Sequence, residues 1–220
     1  MTSALGLSAV LVNVIVFGAT GDTGRWITSR AVQEGHDVTA FVRDPGRMRI
    51  VHDRVKVARG DVLDAAAVDG AVAGQDAVLS ALGSTARNPA PVLSTGVRHI
   101  LDAMERHRVR RIVALSAAGA LGESAGFLFG NMGLRIFRMW LPEVYREHRA
   151  MLEGLQRGAV DWTAVRAVLL TNGPPKGRYR VAVDGIPRWG FRISRPDVAE
   201  FMVRQLASDE YVRKMPAIGY

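Results

Sequence analysis

The sequence contains no cysteine among its 220 residues, which excludes disulfide bonds, thiolate nucleophiles and cysteine-ligated metals. It also lacks an apolar run of transmembrane length, because the N-terminal run at 11–17 is too short to cross a bilayer. No Lys or Arg precedes Arg25, whereas a secretory signal carries a positively charged start. These absences predict a cytoplasmic protein with no metal site and no membrane partner.

Length and composition favour one compact domain. A chain of 220 residues with 48% hydrophobic residues and 23 glycines suits a single α/β domain over 1–220. The formal net charge is +8, but the basic residues are spread along the chain, so nucleic acid is not the expected partner. The densest basic group, at 106–111, falls where a helix is predicted to end, and cations interact favourably there.

A glycine-rich segment directly follows the first apolar run. Glycines recur at spacing three between a predicted strand and a predicted helix, the context in which backbone N–H groups close on a dinucleotide pyrophosphate. The segment therefore predicts a cofactor cradle, with a tight turn that holds no ligand as the alternative. The cradle residues are Gly18, Thr20, Gly21, Asp22, Thr23 and Gly24.

Strand and helix patterns alternate along the chain. Strands are predicted at 11–17, 37–42, 55–58, 76–80, 111–116, 161–166 and 179–185, and helices at 26–34, 64–72, 91–107, 143–157 and 194–206. The alternation is typical of a doubly wound, mostly parallel sheet with helices on both faces, a Rossmann-like fold. Ligands in such sheets bind beyond the carboxyl ends of the strands. We therefore expect loops 84–92, 117–142 and 167–192 to form the substrate side.

The end of the second strand indicates which dinucleotide binds. NAD-specific sites place a carboxylate there, to bind the ribose 2′-hydroxyl. Here Arg43 takes that place, and Arg47 offers a second cation for a 2′-phosphate. A carboxylate does follow, at Asp44, but its position before Pro45 suits turn formation better than binding of the ribose. The pattern favours NADP(H), and the alternative for Arg43 is a solvated charge at a strand end.

Three further strand ends supply candidate contacts. Asp61 and Val62 follow the third strand, where a carboxylate and backbone groups would meet the adenine edge; the alternative for Asp61 is a helix N-cap. Leu82 and Gly83 follow the fourth strand, where a residue without a side chain lets the backbone approach the cofactor. These four positions complete the predicted cofactor site.

Ser116 and His148 are the main candidates for chemistry. Ser116 closes the fifth strand, where its hydroxyl would reach the nicotinamide carboxamide or a substrate carbonyl; the alternative is a strand end that caps the next loop. His148 shares the apolar stripe of its helix, so its imidazole points inward and needs a polar partner. It would bind the cofactor ribose or deliver a proton. The alternative is a structural histidine.

Tyr145 and Arg149 form a third, weaker candidate. Short-chain dehydrogenases carry Tyr-x-x-x-Lys, and arginine at the last position holds a ribose in a different geometry. The apolar segment 119–142 lies between the fifth strand and this helix. It predicts a lid over a flat apolar substrate, a buried helix or a dimer contact, which leaves a monomer and a homodimer both open.

These motifs together resemble the NmrA-like, atypical short-chain dehydrogenase/reductase family, in particular its flavin reductase and biliverdin-IXβ reductase type. The matching stretches are 18–24, 42–44, 60–63, 72–78, 82–83 and 193–202. The resemblance implies NADPH bound in extended form, with a flavin or linear tetrapyrrole stacked on the nicotinamide. It also implies that Ser116 is the active-site serine, that His148 lies near the cofactor and that Arg43 binds the 2′-phosphate.

The chain departs from that pattern on the substrate side. Those reductases have a histidine after the sixth strand, where this chain reads Val168, Leu169 and Leu170, and the apolar insert at 127–140 also differs. The leading hypothesis is an NADPH-dependent reductase that transfers hydride to a flat apolar or aromatic acceptor. The alternative is a non-catalytic NADP(H) sensor of NmrA type that binds a protein partner.

Overall fold

A computed structural model describes residues 11–83, 91–122 and 139–220. The strands are β1 Asn13–Phe17, β2 Asp37–Val42, β3 Val55–Arg59, β4 Ala77–Ser80, β5 Arg111–Ala117, β6 Asp161–Ala167, β7 Leu169–Thr171, β8 Arg180–Ala182, β9 Arg192–Ser194 and β10 Ala217–Gly219. The helices are α1 Asp22–Gln33, α2 Ala65–Val72, α3 Val92–His107, α4 Pro142–Arg157 and α5 Arg195–Arg204.

The predicted doubly wound sheet is confirmed. Eight strands pair in the order β3-β2-β1-β4-β5-β6-β10-β8, and every neighbouring pair is parallel except β10 with β8. Helices α2, α3 and α4 bury their apolar residues on one face, and α1 and α5 bury theirs on the other. Strand order reverses between β1 and β4, and such switch points are where open α/β sheets bind ligands.

Short strands account for most of the differences from the predicted elements. Strand β8 lies within the strand predicted at 179–185, whereas β7, which pairs with β9 in a separate two-stranded sheet, was not predicted. Strand β10 was not predicted, because three residues carry too little alternation to be recognised. Helix α1 begins at Asp22, next to the start near Thr23 that the glycine turn predicts, and it continues through the helical pattern predicted at 26–34.

The run around Gln75 joins the start of β4 to its neighbours. The Asp76 carboxylate accepts from the Asn13 backbone N–H at 2.7 Å and from the Asn13 side chain at 3.1 Å. The Gln75 amide donates to the Thr39 hydroxyl of β2 at 3.3 Å. These bonds lie at the amino ends of the strands, away from the edge where a cofactor is expected. The residues around Gln75 that match the family therefore stabilise the fold and are not expected to bind the cofactor.

Arg166 is a buried guanidinium in the outer half of the sheet. It is 2% exposed on β6, where its Nε donates to the carbonyl of Met215 at 2.6 Å. Its Nη2 donates to the carbonyls of Val183 at 2.9 Å and Gly185 at 3.2 Å. A buried charge is tolerated only with such partners, and here the partners come from the segment after β8 and the segment before β10.

Parts of the predicted substrate side lie outside the described residues. These parts are 84–90 of the first loop and 123–138 of the second, so the lid, buried helix or dimer contact predicted for 119–142 stays a prediction. Within 11–83, 91–122 and 139–220, no helix is long and apolar enough to cross a membrane.

Candidate functional site

Two positions in the turn after β1 require glycine for steric reasons. Gly18 has φ +78°, and a Cβ there would lie 2.6 Å from the carbonyl oxygen of Ala81 after β4. A Cβ on Gly24 would lie 2.0 Å from the Gly18 oxygen, so α1 packs against the turn at a distance that only glycine allows. The turn is closed by a 2.9 Å bond from the Gly21 N–H to the Gly18 oxygen.

The start of α1 is open to an anion. Gly21 occupies the N-cap position of the helix and supplies no side-chain cap, so among the described residues nothing caps these first N–H groups. Gly21 and Asp22 are exposed, Thr20 is partly buried and Thr23 is 7% exposed. Asp22 forms a 2.8 Å ion pair with Arg25, which draws its carboxylate along the helix. A phosphate fits this uncapped, positively polarised helix end.

A group of arginines stands at the carboxyl ends of β2 and β3. Arg43 directly follows β2, Arg47 lies in the 3-10 turn Pro45–Arg47, and both side chains are exposed. Asp44 accepts from the Gly46 N–H at 3.0 Å, so its carboxylate holds the turn, as predicted. Sequence reasoning missed Arg59. It was placed beyond the third strand, but it ends β3 in register with Val42, next to Arg43.

Asp61 does not cap a helix, so that alternative is wrong. Its carboxylate accepts from the Leu63 N–H at 3.0 Å, and α2 is capped by Asp64, which accepts from Ala66 and Ala67. Asp61 remains partly buried after β3. The carbonyl oxygen of Val62 lies 3.0 Å from the His99 ring nitrogen, within hydrogen-bond distance. Of the Val62 backbone groups predicted to contact the cofactor, the N–H is therefore the better candidate.

The residues after β4 leave room at the switch point. Leu82 is partly buried against the core, and Gly83 is exposed with nothing within 4 Å of the position a Cβ would take. Gly96 of α3 makes this packing possible, since a Cβ there would lie 2.8 Å from Val62 and 3.2 Å from Leu82. Gly96 was not singled out from sequence because it lies inside a helical pattern.

The structure brings Ser116 and His148 together. The Ser116 hydroxyl of β5 lies 3.2 Å from Nδ1 of His148 on α4, and the two residues are 3% and 8% exposed. Burial lowers the pKa of His148 from 6.5 to about 4, so the imidazole is neutral at pH 7. Ser116 is the polar partner that an inward histidine requires, and the pair is buried at the carboxyl end of β5.

The buried imidazole makes stability depend on pH. Its pKa of about 4 in the folded protein lies below the unfolded value of 6.5, so stability is fully present above pH 6.5 and falls as the pH drops towards 4. We expect this loss to reach about 3 kcal/mol and to be absent from His148→Gln. Urea unfolding of both proteins between pH 4 and pH 7 measures the difference. An identical pH dependence in the two proteins would refute it, and exposed His52→Gln is the control.

Tyr145 and Arg149, one helical turn apart on α4, have different surroundings. Tyr145 is partly buried against the core beneath α2, α3 and α4. The Arg149 Nε donates to the carbonyl of Ala120 at 3.4 Å, so its guanidinium is directed at the segment after β5. A catalytic Tyr145 stays a prediction.

Asp197 fixes the turn at 176–177, within the loop predicted to form the substrate side. It is 1% exposed at the start of α5 and accepts from the N–H groups of Lys176 at 2.9 Å and Gly177 at 3.0 Å. The hydroxyls of Ser194 and Tyr220 also donate to it. Burial acts to raise the pKa of Asp197, but these hydrogen bonds outweigh it and lower the pKa below its ordinary value. The turn at 176–177 is thereby held against α5.

The candidate residues share one edge of the sheet. Gly18, Arg43, Gly83 and Ser116 follow or close strands β1, β2, β4 and β5, which run parallel as neighbours. The carboxyl ends of parallel strands lie together, so the turn, the arginine group and the buried pair lie along one edge of the sheet, beside the switch point. The glycine positions that a Cβ would fill and the uncapped start of α1 fit a dinucleotide pyrophosphate.

Comparisons with known proteins agree with this geometry. The family model described as NAD(P)H-binding matches residues 18–209. Cinnamoyl-CoA reductase 1 of Oryza sativa subsp. japonica is 31% identical over 118 residues, which are 49% of this chain, and the match spans only 35% of that enzyme.

Solved structures show the same fold over nearly the whole chain. A protein from Burkholderia pseudomallei is 27% identical with a TM-score of 0.79, covering 96% of this chain and 100% of its own. ChuY, an anaerobillin reductase from Escherichia coli O157:H7, is 20% identical with a TM-score of 0.75, covering 94% of this chain and 96% of its own. The matched region includes the glycine turn, Arg43, Ser116 and His148, and the chain belongs to the NAD(P)H-binding family.

Proposed function

We propose that the protein is an NADPH-dependent reductase that transfers hydride to a flat conjugated acceptor: a flavin, a quinone, a tetrapyrrole or an aromatic metabolite. The observation that carries the proposal is the buried Ser116–His148 pair, 3.2 Å apart, at the same sheet edge as the glycine turn. The reductase names of the rice and E. coli relatives support this reaction class. The whole chain would act as one NAD(P)-binding domain.

Different residues on this edge of the sheet would bind different parts of the cofactor. The turn from Gly18 to Gly24 and the start of α1 would hold the pyrophosphate, and Arg43 and Arg47, with Arg59 beside them, would hold the 2′-phosphate. Asp61 and the N–H of Val62 would face the adenine, and Leu82 and Gly83 would allow the cofactor to approach the sheet. Bound NADPH supplies the hydride.

Ser116 and His148 would orient the acceptor. When the neutral imidazole carries its proton on Nδ1, it donates to the Ser116 oxygen, and the hydroxyl hydrogen of Ser116 then points at an acceptor oxygen or at the carboxamide. An imidazole whose pKa is about 4 is a poor acid at neutral pH. Solvent therefore delivers the final proton, and the pair acts mainly by hydrogen bonding.

The reaction is tested by incubating the purified protein with NADPH and a panel of flavins, quinones and linear tetrapyrroles, following the loss of NADPH absorbance. Turnover of at least one acceptor that falls in Ser116→Ala is the expected result. If no member of the panel is reduced although NADPH binds, the reductase proposal fails.

The cofactor preference is tested at Arg43. We expect NADPH to bind more tightly than NADH. Arg43→Ala should weaken the binding of NADPH by about 1–3 kcal/mol, the contribution of a charge-assisted hydrogen bond, and leave the binding of NADH unchanged. Calorimetric titrations of both nucleotides measure the difference. Arg110→Ala is the matched control, because it removes the same charge from an exposed arginine just before β5, at the opposite edge of the sheet. Equal affinities of the unaltered protein for NADPH and NADH would contradict the assignment.

The second candidate is a non-catalytic NADP(H) sensor that binds a protein partner. It is favoured by one observation, the direction of the Arg149 Nε towards the Ala120 carbonyl where a Tyr-x-x-x-Lys enzyme has a lysine beside the cofactor. A partner captured with NADPH and released with NADP+ would support the sensor, and turnover of any acceptor would count against it.

A further inference from the structure

A second buried polar contact lies one residue before His148. Glu147 of α4 is 8% exposed, and both of its carboxylate oxygens accept from the Ser94 hydroxyl at 3.0 Å. Its Oε2 also accepts from the Ser94 backbone N–H at 3.1 Å. A buried carboxylate is costly unless hydrogen bonds compensate it, so this site is built around Glu147.

The bond to Ser94 completes the start of α3. Helix α3 begins at Val92 after Pro91, which makes no side-chain cap. The Ser94 N–H belongs to the first turn, whose donors have no partner within the helix. The carboxylate of Glu147 satisfies that donor from a neighbouring helix and places negative charge at the positive end of α3. The sequence signal for this contact is weak, because the cap and the helix it serves are 53 positions apart.

Glu147 and His148 hold one turn of α4 from two directions. Consecutive residues point about 100° apart around a helix, and here one side chain reaches α3 while the next reaches Ser116 of β5. The turn below is packed by Met151, Leu152 and Leu155, which are at most 1% exposed. Two polar contacts in different directions fix both the rotation of α4 and its height above the sheet at this point.

We infer that Glu147 is a positioning residue, which acts through Ser94 of α3 to hold α4 where His148 meets Ser116. It makes no contact with Ser116 itself in the described structure; its effect on the reaction is carried by the helix. Without the carboxylate, α4 loses this polar contact with α3, and the imidazole shifts relative to the hydroxyl. The role in catalysis rests on the proposed reductase function, whereas the effect on His148 does not.

The test compares Glu147→Ala with Glu147→Gln and a matched control on the same helix. Glu147→Gln keeps one oxygen acceptor and the shape of the side chain. Glu153→Ala is the control, because Glu153 is half exposed and its partner is Arg157 at 3.5 Å. The first readout is the ring-proton NMR signal of His148, assigned among the five histidines by its loss in His148→Gln. It is recorded on protein without cofactor or acceptor.

We expect the His148 signal to move in Glu147→Ala and its titration midpoint to rise towards the ordinary histidine value, because water reaches the loosened imidazole. Glu147→Gln should restore much of the original signal, and Glu153→Ala should leave it unchanged. With an acceptor from the panel, kcat of Glu147→Ala should fall about 10- to 100-fold, the scale of a misplaced catalytic group, while KM for NADPH changes little.

An unchanged His148 signal in a less stable Glu147→Ala would overturn the inference and leave Glu147 as a helix cap alone. If Glu147→Ala does not fold, Ser94→Ala takes its place: its His148 signal is expected to move, and an unmoved signal is the contradicting result. A protein that reduces no acceptor refutes the reductase proposal, yet the NMR comparison still decides the role of Glu147.

Discussion

Gly24→Ala is expected to weaken NADPH binding strongly. The added Cβ would lie 2.0 Å from the Gly18 oxygen and 2.7 Å from the Gly18 carbonyl carbon, far inside van der Waals contact, and both are backbone atoms. Helix α1 has to move away from the turn, which costs about 1–3 kcal/mol in a packed interior and withdraws the open N–H groups from the phosphates. We expect NADPH affinity to fall by about 100-fold, measured by calorimetric titration.

Two further glycine variants make the Gly24 result interpretable. Gly70→Ala on α2 has nothing within 4 Å of the new Cβ and should leave binding unchanged. Gly21→Ala places its Cβ 3.2 Å from the Gly18 oxygen on an exposed position, so it should fold normally and weaken NADPH by obstructing the approach of the pyrophosphate. If Gly24→Ala does not fold, Gly21→Ala carries the test. Wild-type affinity in Gly21→Ala would show that the turn holds no cofactor.

Ser116→Ala and His148→Gln are each expected to lower kcat by about 100-fold, the lower end of the range for a positioned hydrogen-bonding or proton-transferring group. The two residues form one hydrogen-bonded unit, 3.2 Å apart and shielded from water. Removing either one leaves the other misdirected, so the double variant should be little slower than either single variant. Steady-state kinetics with a reducible acceptor measure all three proteins.

The same variants separate chemistry from cofactor binding. NADPH affinity should change far less than kcat in Ser116→Ala, because the glycine turn and Arg43 contribute most of the binding. Tyr145→Phe, made in parallel, tests the weaker candidate: a loss as large as that of Ser116→Ala would make the phenol the principal acid. Additive losses in the Ser116–His148 double variant would show that the two side chains act independently.

The cofactor half of the site was predictable because its signals are local in sequence. The turn at 18–24 lies within one strand–turn–helix unit, and Arg43 directly follows a strand whose predicted bounds, 37–42, match β2. The alternating pattern of long apolar strands gave the parallel sheet and both helical faces. Each of these features is determined by neighbouring residues, which is the information that periodicity and turn chemistry contain.

The remaining features depend on contacts between distant segments. The sequence placed His148 on an inward stripe but did not identify Ser116 as its partner, which is 32 positions away. It missed the register that places Arg59 opposite Val42, next to Arg43. The alternative that Asp61 caps a helix was wrong, because Asp64 caps α2. The three-residue strand β10 forms along the longer strand β6, and the equally short β7 and β9 pair with each other, so none of the three carries a pattern of its own.

The carbonyl groups around Arg166 have a consequence for how the chain folds. Met215, Val183 and Gly185 all follow β6 in the chain, so their bonds to the guanidinium form only after β8 and β10 have reached the sheet. Until then, closing β6 over the charge would leave donors without these partners in a dry interior. During folding, β6, β8 and β10 are therefore expected to consolidate late and together.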